Sequence, residues 1–263
     1  MSFQSDTVRQ INEINKRLDE LADAEIDIHR GIASLYLQLP GLIGYWPFSA
    51  VDKSSGNIID QSGNGKTLTE SGNSTLNTDG VIPYADLDGA GDDFTRTDES
   101  DLDISGTEAF IASALQGITM LGWYQFDTSS NAERMMAKYG SSGNFGYMMR
   151  KETTESISIT ISDDGSSTET LSSSNAVSTT GWYFCVTRLT TSTAMDVFVN
   201  GTQTTTTSSI PTSIFNNNAS LVLGGDSNNL DGRMSNCALC TTAVPDAIIK
   251  NLFNLIKDAY GVD

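Results

Sequence analysis

Basic residues are scarce in this chain: 15 lysines and arginines stand against 33 aspartates and glutamates among 263 residues, for a formal charge of -18 at pH 7. A protein that follows nucleic-acid phosphates needs a cationic face to displace counterions, so no nucleic-acid partner is expected. Histidine occurs once, as His29, which deprives nucleophilic triads of their usual base and leaves zinc short of ligands. Three cysteines, Cys185, Cys237 and Cys240, do not make a disulfide framework. The spacing Cys237-Ala238-Leu239-Cys240 superficially suggests metal or redox chemistry, yet there is no second Cys pair and a zinc site would lack ligands. Buried, strand-packed thiols are therefore the expectation, with metal or redox use as the alternative. No apolar run approaches the roughly 20 residues that span a bilayer. The start, MSFQSDTVRQ, has neither the basic opening nor the apolar middle of a secretory signal, so neither membrane insertion nor a leader is expected.

A seven-residue apolar rhythm is present from about Thr7 to Leu39. Ile11, Ile14, Leu18, Leu21, Ile28, Ile32 and Leu35 fall on a and d positions, with Glu25 interrupting the seam. A helix that long, roughly 50 Å at about 1.5 Å per residue, leaves a narrow apolar stripe wet unless it self-associates. Isoleucine at both a and d favours more than two strands, so residues 1–40 are read as a parallel trimeric coiled-coil stalk. The alternative is a helix that folds back onto its own β domain. Pro40 and Gly41 end the helix in either case.

Residues 41–263 read as short strands separated by turn signals. The run Leu42-Ile43-Gly44-Tyr45-Trp46-Pro47-Phe48 opens the series, and Ser156-Ile157-Ser158-Ile159-Thr160-Ile161 alternates with a period of two. Asn200-Gly201 is the strongest hairpin signal. Pro245-Asp246 begins a short helix with Ile248, Ile249, Leu252, Phe253 and Ile256 on its buried side. Roughly a dozen strands imply a mainly β, two-sheet antiparallel sandwich.

The order of motifs, LIGYWPF, DQSGNGKTLT, ADLDGAGDDFTR, ITMLGWYQF, GWYFCVTR, MDVFVNGT, LVLGG and DGRMSNCALCTTAVP, resembles the laminin-G-like, concanavalin A-like jelly-roll family over about Gly41 to Tyr260. The resemblance implies a jelly-roll sandwich and a calcium site. Asp60, Ser62 and Asn64 match the family's Asp-x-Ser-Gly-Asn loop, and Asp88 lies in the next family turn. Ser235-Asn236 stands where the family's closing strand commonly has Asp-Glu, which removes one hard oxygen ligand. The alternative is that these side chains only satisfy backbone groups in their turns. Jelly-roll lectins stack sugars on loop aromatics and fix them with amides, which points to Tyr139, Asn144, Phe145, Tyr147, Phe215 and Asn217, or else to loop packing by the same residues.

Catalysis is not expected. A retaining glucanase needs two carboxylates about 5 Å apart on a strand motif. Glu25-Ile26-Asp27-Ile28-His29 lies in the heptad segment, while Glu99-Ser100-Asp101-Leu102-Asp103 lies in a polar connection and lacks the last glutamate. The resemblance, the stalk and the absence of a leader together imply a virion protein of a tailed bacteriophage, a fibre or a capsid decoration located on the particle. Its expected partners are two further copies of itself, other virion proteins and cell-surface glycans. A secreted bacterial lectin or adhesin is the alternative.

Overall fold

The structure, a computed structural model, describes residues 13, 16, 17, 28–80, 82–104, 116–225 and 227–263. The heptad positions Ile11, Ile14, Leu18 and Leu21 lie outside them, as does the expected trimeric seam that they form.

Two antiparallel sheets make the sandwich, with strands numbered here in chain order. The first runs β15 (Thr202–Thr206), β14 (Ala194–Val199), β13 (Tyr183–Thr190), β8 (Gln116–Phe126), β17 (Asp231–Thr242), β6 (Ile82–Asp88) and β5 (Thr75–Asp79). β1 (Leu42–Trp46) joins it by pairing with the second half of β17, Trp46 opposite Cys237 and Leu42 opposite Cys240. The other sheet runs β12 (Glu169–Ala176), β11 (Ser156–Ile161), β10 (Tyr147–Lys151), β9 (Glu133–Lys138), β16 (Leu221–Leu223), β7 (Asp93–Arg96), β4 (Leu68–Ser71), β3 (Asn57–Ile58) and β2 (Lys53–Ser54).

Alternation decides which side chains meet between the sheets. Ile157, Ile159 and Ile161 of β11 join Tyr147, Met149, Leu221, Leu223 and Phe94 in the inter-sheet core, together with Trp46, Phe126 and Leu239 from the first sheet. The Asn200-Gly201 turn forms as its residues demand: both take positive φ, 48° and 76°, as a two-residue hairpin requires. At the open edge, Ser174 of β12 donates its amide to Thr204 Oγ1 of β15 at 2.9 Å, so a hydroxyl tie joins one sheet to the other.

A second apolar core lies on the opposite face of the first sheet. Residues 28–36 form helix α1, and Ile32, Tyr36 and Leu39 pack there with Tyr45, Trp123, Phe184 and the C-terminal helix α2 (Asp246–Ile256). Tyr36 stacks on Tyr45 at 4.8 Å, and Trp123 lies flat on Tyr260 at 3.8 Å. Ile32 and Leu35, expected in a stalk seam, are instead turned toward the chain's own sheet. Ile32 is buried and Leu35 packs on the same cluster, whereas Ile28 stays 43% exposed. The packed unit thus reaches back past the expected boundary at residue 40, because aromatic surface on β1 and β8 is available to cover these side chains. In α2, Ile249, Leu252, Phe253 and Ile256 are buried as expected, but Ile248 is 37% exposed. It lies about 100° around the helix from Ile249 and so falls off the buried stripe.

Candidate functional site

The loop after β1 was a candidate calcium site, and its hydrogen bonds define what it does. Asp60 is buried. Its Oδ1 accepts from the Tyr45 and Ser62 amides, both at 2.9 Å, and its Oδ2 accepts from Ser62 Oγ and the Lys66 amide, both at 2.8 Å. Asn64 Nδ2 donates to the Leu42 carbonyl at 3.0 Å. The carboxylate is therefore filled by donors that close the turn onto β1, a poor fit to a cation that takes six to eight oxygens. Asp88 serves the β6–β7 turn, accepting from the Ala90 amide at 2.9 Å. Among the described residues, no group of three or more His, Cys, Asp or Glu side chains is placed to hold a metal ion.

Ser235 and Asn236 take a different part from the aspartate whose place they were expected to fill. β17 bulges between Ser235 and Ala238, and Asn236 adopts a left-handed φ of 48°. Asn236 accepts from Tyr45 Oη at 2.5 Å and donates to Tyr260 Oη at 2.8 Å, while Ser235 Oγ donates to the Pro83 carbonyl at 2.6 Å. This buried network fastens the helical layer to the sheet. The cysteines are core groups: all three are free and buried, and burial pushes the Cys237 thiol up to about 12, far from a reactive thiolate.

Asp88 lies in a cavity of about 310 Å³ whose walls also include Asp86, Asp92, Asp127 and Asp231. Asp92 accepts from the Asn73 amide at 2.7 Å and the Asp88 amide at 3.2 Å. Burial, and then repulsion from Asp127, Asp88 and Asp86, pushes the Asp231 carboxyl up. The crowding follows from register, since Asp231 pairs directly with Asp88.

The aromatic candidates gather where three connections meet at one end of the other sheet. Tyr139 and Phe145, at the two ends of the β9–β10 loop, stack at 4.5 Å with their planes 9° apart. The Phe145 amide donates to the Gly165 carbonyl in the β11–β12 turn at 3.1 Å. Gly165 has φ of 78°, and a Cβ there would lie 2.6 Å from Phe215, so glycine permits both the turn and the close approach of the third connection. The Phe215 amide reaches the Ser162 carbonyl at 2.8 Å. The Asn218 amide donates to Asn144 Oδ1 at 3.0 Å. Tyr139, Asn144, Phe145 and Phe215 remain partly exposed. Burial pushes the Tyr139 phenol up, with Arg134, Arg150 and a hydrogen bond to Thr168 pulling the other way. The Arg134 guanidinium lies 5.8 Å from the Tyr139 ring centre.

Two of the six expected sugar-binding residues are not available. Tyr147 is buried and donates to the Leu102 carbonyl at 3.2 Å. Asn217 is buried, donating to the Lys138 carbonyl at 3.2 Å and accepting from Lys138 Nζ at 3.1 Å. Lys138 is itself 1% exposed and pairs with Asp103 at 2.6 Å and Asp98 at 2.9 Å. The same acidic strap holds Lys66 between Glu99 and Asp101, each at 2.5 Å. These carboxylates are ion-pair partners of the two buried lysines.

Sequence reasoning missed a cleft of about 150 Å³ beside the aromatic cluster, between the start of β12 and the connection after β15. Asp163, Thr168, Glu169, Ser209, Ile210 and Pro211 line it. Asp163-Asp164-Gly165 carries the pattern of a tight turn, and no local signal brings residues 209–211 to it.

A family model described as the concanavalin A-like lectin/glucanases superfamily matches residues 97–250. No curated protein matches the chain in sequence. Solved structures match in fold. The binding domain of Paraclostridial Mosquitocidal Protein 1 has a TM-score of 0.63 at 12% identity, over 82% of this chain and 52% of that one. A structure of botulinum neurotoxin type C, whose cell entry is described as dependent upon interaction with two ganglioside molecules, has 0.59 at 11%, over 82% and 51%. The binding domain of botulinum neurotoxin DC in complex with rat synaptotagmin II has 0.60 at 13%, over 82% and 52%. The chain thus spans about half the length of these structures, and at such identities the likeness is one of fold.

Proposed function

Because the chain belongs to the concanavalin A-like lectin/glucanases superfamily, we propose that it is a non-catalytic, lectin-like domain that binds carbohydrate at a cell or particle surface. The observation that carries this reading is the convergence of three connections on one partly exposed aromatic cluster, Tyr139, Phe145 and Phe215, with Asn144 beside it. Sugar rings present an apolar C–H face to such a shelf and hydroxyls to amides and carboxylates around it. The toxin binding domains of similar fold, one described with gangliosides and another in complex with a synaptotagmin, support surface glycans or receptors as the partner class.

A non-catalytic role is supported by the fate of the carboxylates nearest to a glucanase motif. Glu99 and Asp101 share Lys66, and the Lys66 contact holds the Glu99 carboxyl below its usual range. A general acid needs the opposite shift.

The wider setting we propose is display on a virion, as a fibre or capsid decoration, with the N-terminal heptads joining three copies. The heptad pattern of Ile11, Ile14, Leu18 and Leu21 favours this reading over a monomeric secreted lectin, because linked heads gain effective concentration at a surface. An array of immobilised glycans probed with the full chain tests the binding reading. Selective binding that Tyr139→Ala weakens is expected, and a blank array refutes it. Sedimentation tests the trimer, with a monomer at micromolar concentration as the contrary result.

A further inference from the structure

We propose that the cleft between the β11–β12 turn and residues 209–211 is the primary sugar subsite, that it seats a single neutral pyranose ring, and that Asp163 and Glu169 accept hydrogen bonds from the hydroxyls of that ring. This deepens the lectin-like reading and rests on it. The cleft measures about 150 Å³, well below the ~300–1,000 Å³ of pockets that enclose drug-sized ligands. One ring fits that scale. Ile210 and Pro211 supply an apolar wall for the C–H face of a sugar, and Pro211 is fixed in place because its carbonyl accepts from the Ser192 amide at 2.9 Å.

The two carboxylates differ from most others in this protein. Asp164, the neighbour of Asp163, has its Oδ1 filled by the Ser166 and Ser167 amides at 2.7 and 2.6 Å. Asp60, Asp92 and Asp196 are likewise occupied. Asp163 and Glu169 line the cleft and are exposed, and among the described residues their carboxylates make no hydrogen bond or ion pair, so both keep acceptor capacity for a ligand. Adjacent sugar hydroxyls are donors that meet this need, and hydrogen bonds to a charged acceptor are the strong ones. An acidic sugar brings a third negative charge to the same small space, in a chain whose formal charge is already -18. The nearby cations do not reverse that sign at the cleft. Arg150 is held by Glu152 through contacts of 2.8 and 2.7 Å, and Arg134 stands over the Tyr139 ring.

Thr168 lines the cleft and also lies near enough to the Tyr139 phenol to pull its titration down, so a second ring leaving the cleft meets the Tyr139–Phe145 stack. Ser209, at the rim, holds a left-handed φ of 54° without being glycine, a conformation that surrounding contacts must maintain.

The test is calorimetric titration of the full chain with lactose, maltotriose, mannobiose and 3′-sialyllactose. Binding of at least one neutral sugar at a Kd of ~1 mM or tighter is expected, with 3′-sialyllactose at least about tenfold weaker than lactose if lactose binds. Asp163→Asn and Glu169→Gln are each expected to weaken the neutral sugar roughly tenfold, with an unchanged melting temperature as the control for folding. If a neutral sugar binds but both variants bind it equally well, the subsite is elsewhere while the lectin reading stands. Preferential binding of 3′-sialyllactose overturns the ligand class. If none of the four binds, the subsite proposal falls, and if a broad glycan array is also blank the lectin reading falls with it.

Discussion

Replacing Asp60 by alanine removes one buried carboxylate that accepts from three backbone amides and one hydroxyl. The Tyr45 and Lys66 amides are in buried surroundings, so water cannot readily replace the lost acceptor. At ~1–3 kcal/mol for each buried donor left unsatisfied, these two alone cost about 2–6 kcal/mol. With roughly 2–4 °C per kcal/mol for a domain of this size, the midpoint falls by about 10 °C. Asp60→Asn keeps one carbonyl oxygen and loses about half as much. Thermal and urea unfolding followed by circular dichroism measures both variants. A loss below ~1 kcal/mol for Asp60→Ala contradicts the role assigned to this turn. Excess chelator is expected to leave the wild-type midpoint unchanged. A fall would show that a bound ion contributes to folding there.

Tyr36→Ala removes a buried ring stacked on Tyr45 and should cost about 3–5 kcal/mol in urea unfolding, whereas a change below ~1 kcal/mol detaches residues 28–39 from the domain. Gly165→Ala places a methyl 2.6 Å from Phe215 at a φ of 78°; a loss of about 1–2 kcal/mol and altered Phe215 signals in NMR spectra are expected. Glu99 has its carboxyl held below the ordinary 4.5 by the Lys66 hydrogen bond. A lowered folded-state value means that this contribution is present above pH 4.5 and is lost as pH falls through the folded value. Glu99 is 27% exposed and Lys66 6%, so the effect is about 1 kcal/mol or less. Comparing wild type with Glu99→Gln between neutral pH and acid isolates it; parallel stability curves contradict it.

Local chemistry made the strands legible. The alternation in Ser156–Ile161 identifies the face whose isoleucines pack between the sheets, although Ser156, Ser158 and Thr160 on the other face are buried as well, and Asn200-Gly201 identifies its hairpin because few other pairs tolerate two positive φ values. The order of turns made the jelly-roll legible as a whole. The destination of Ile32 and Leu35 was only half legible, since a heptad stripe states that surface must be covered and left self-association and folding back onto the β domain both open. Here the chain's own aromatic sheet face covers it. Asp60 shows a similar limit: an Asp-x-Ser-Gly-Asn loop supplies oxygens that suit either an ion or backbone amides, and that the Tyr45 and Lys66 amides reach this carboxylate follows from tertiary position alone. Tyr147 and Asn217 look like neighbours of the exposed aromatics along the chain, yet strand parity turns Tyr147 inward and Lys138 captures Asn217. The cleft at Glu169 and Pro211 arises from a contact between residues some forty positions apart, which no local pattern encodes.

We propose that the end of the sandwich bearing Tyr139 and Phe145 binds sugar, and an NMR titration of the isotopically labelled full chain with whichever glycan binds most strongly shows where on the surface it does so. Amide shifts are predicted to cluster in residues 139–146, 163–169 and 209–217, with little change around Asp86, Asp88 and Asp231. Shifts confined to that acidic cavity, or to the helical layer around Tyr36 and Tyr260, contradict the claim.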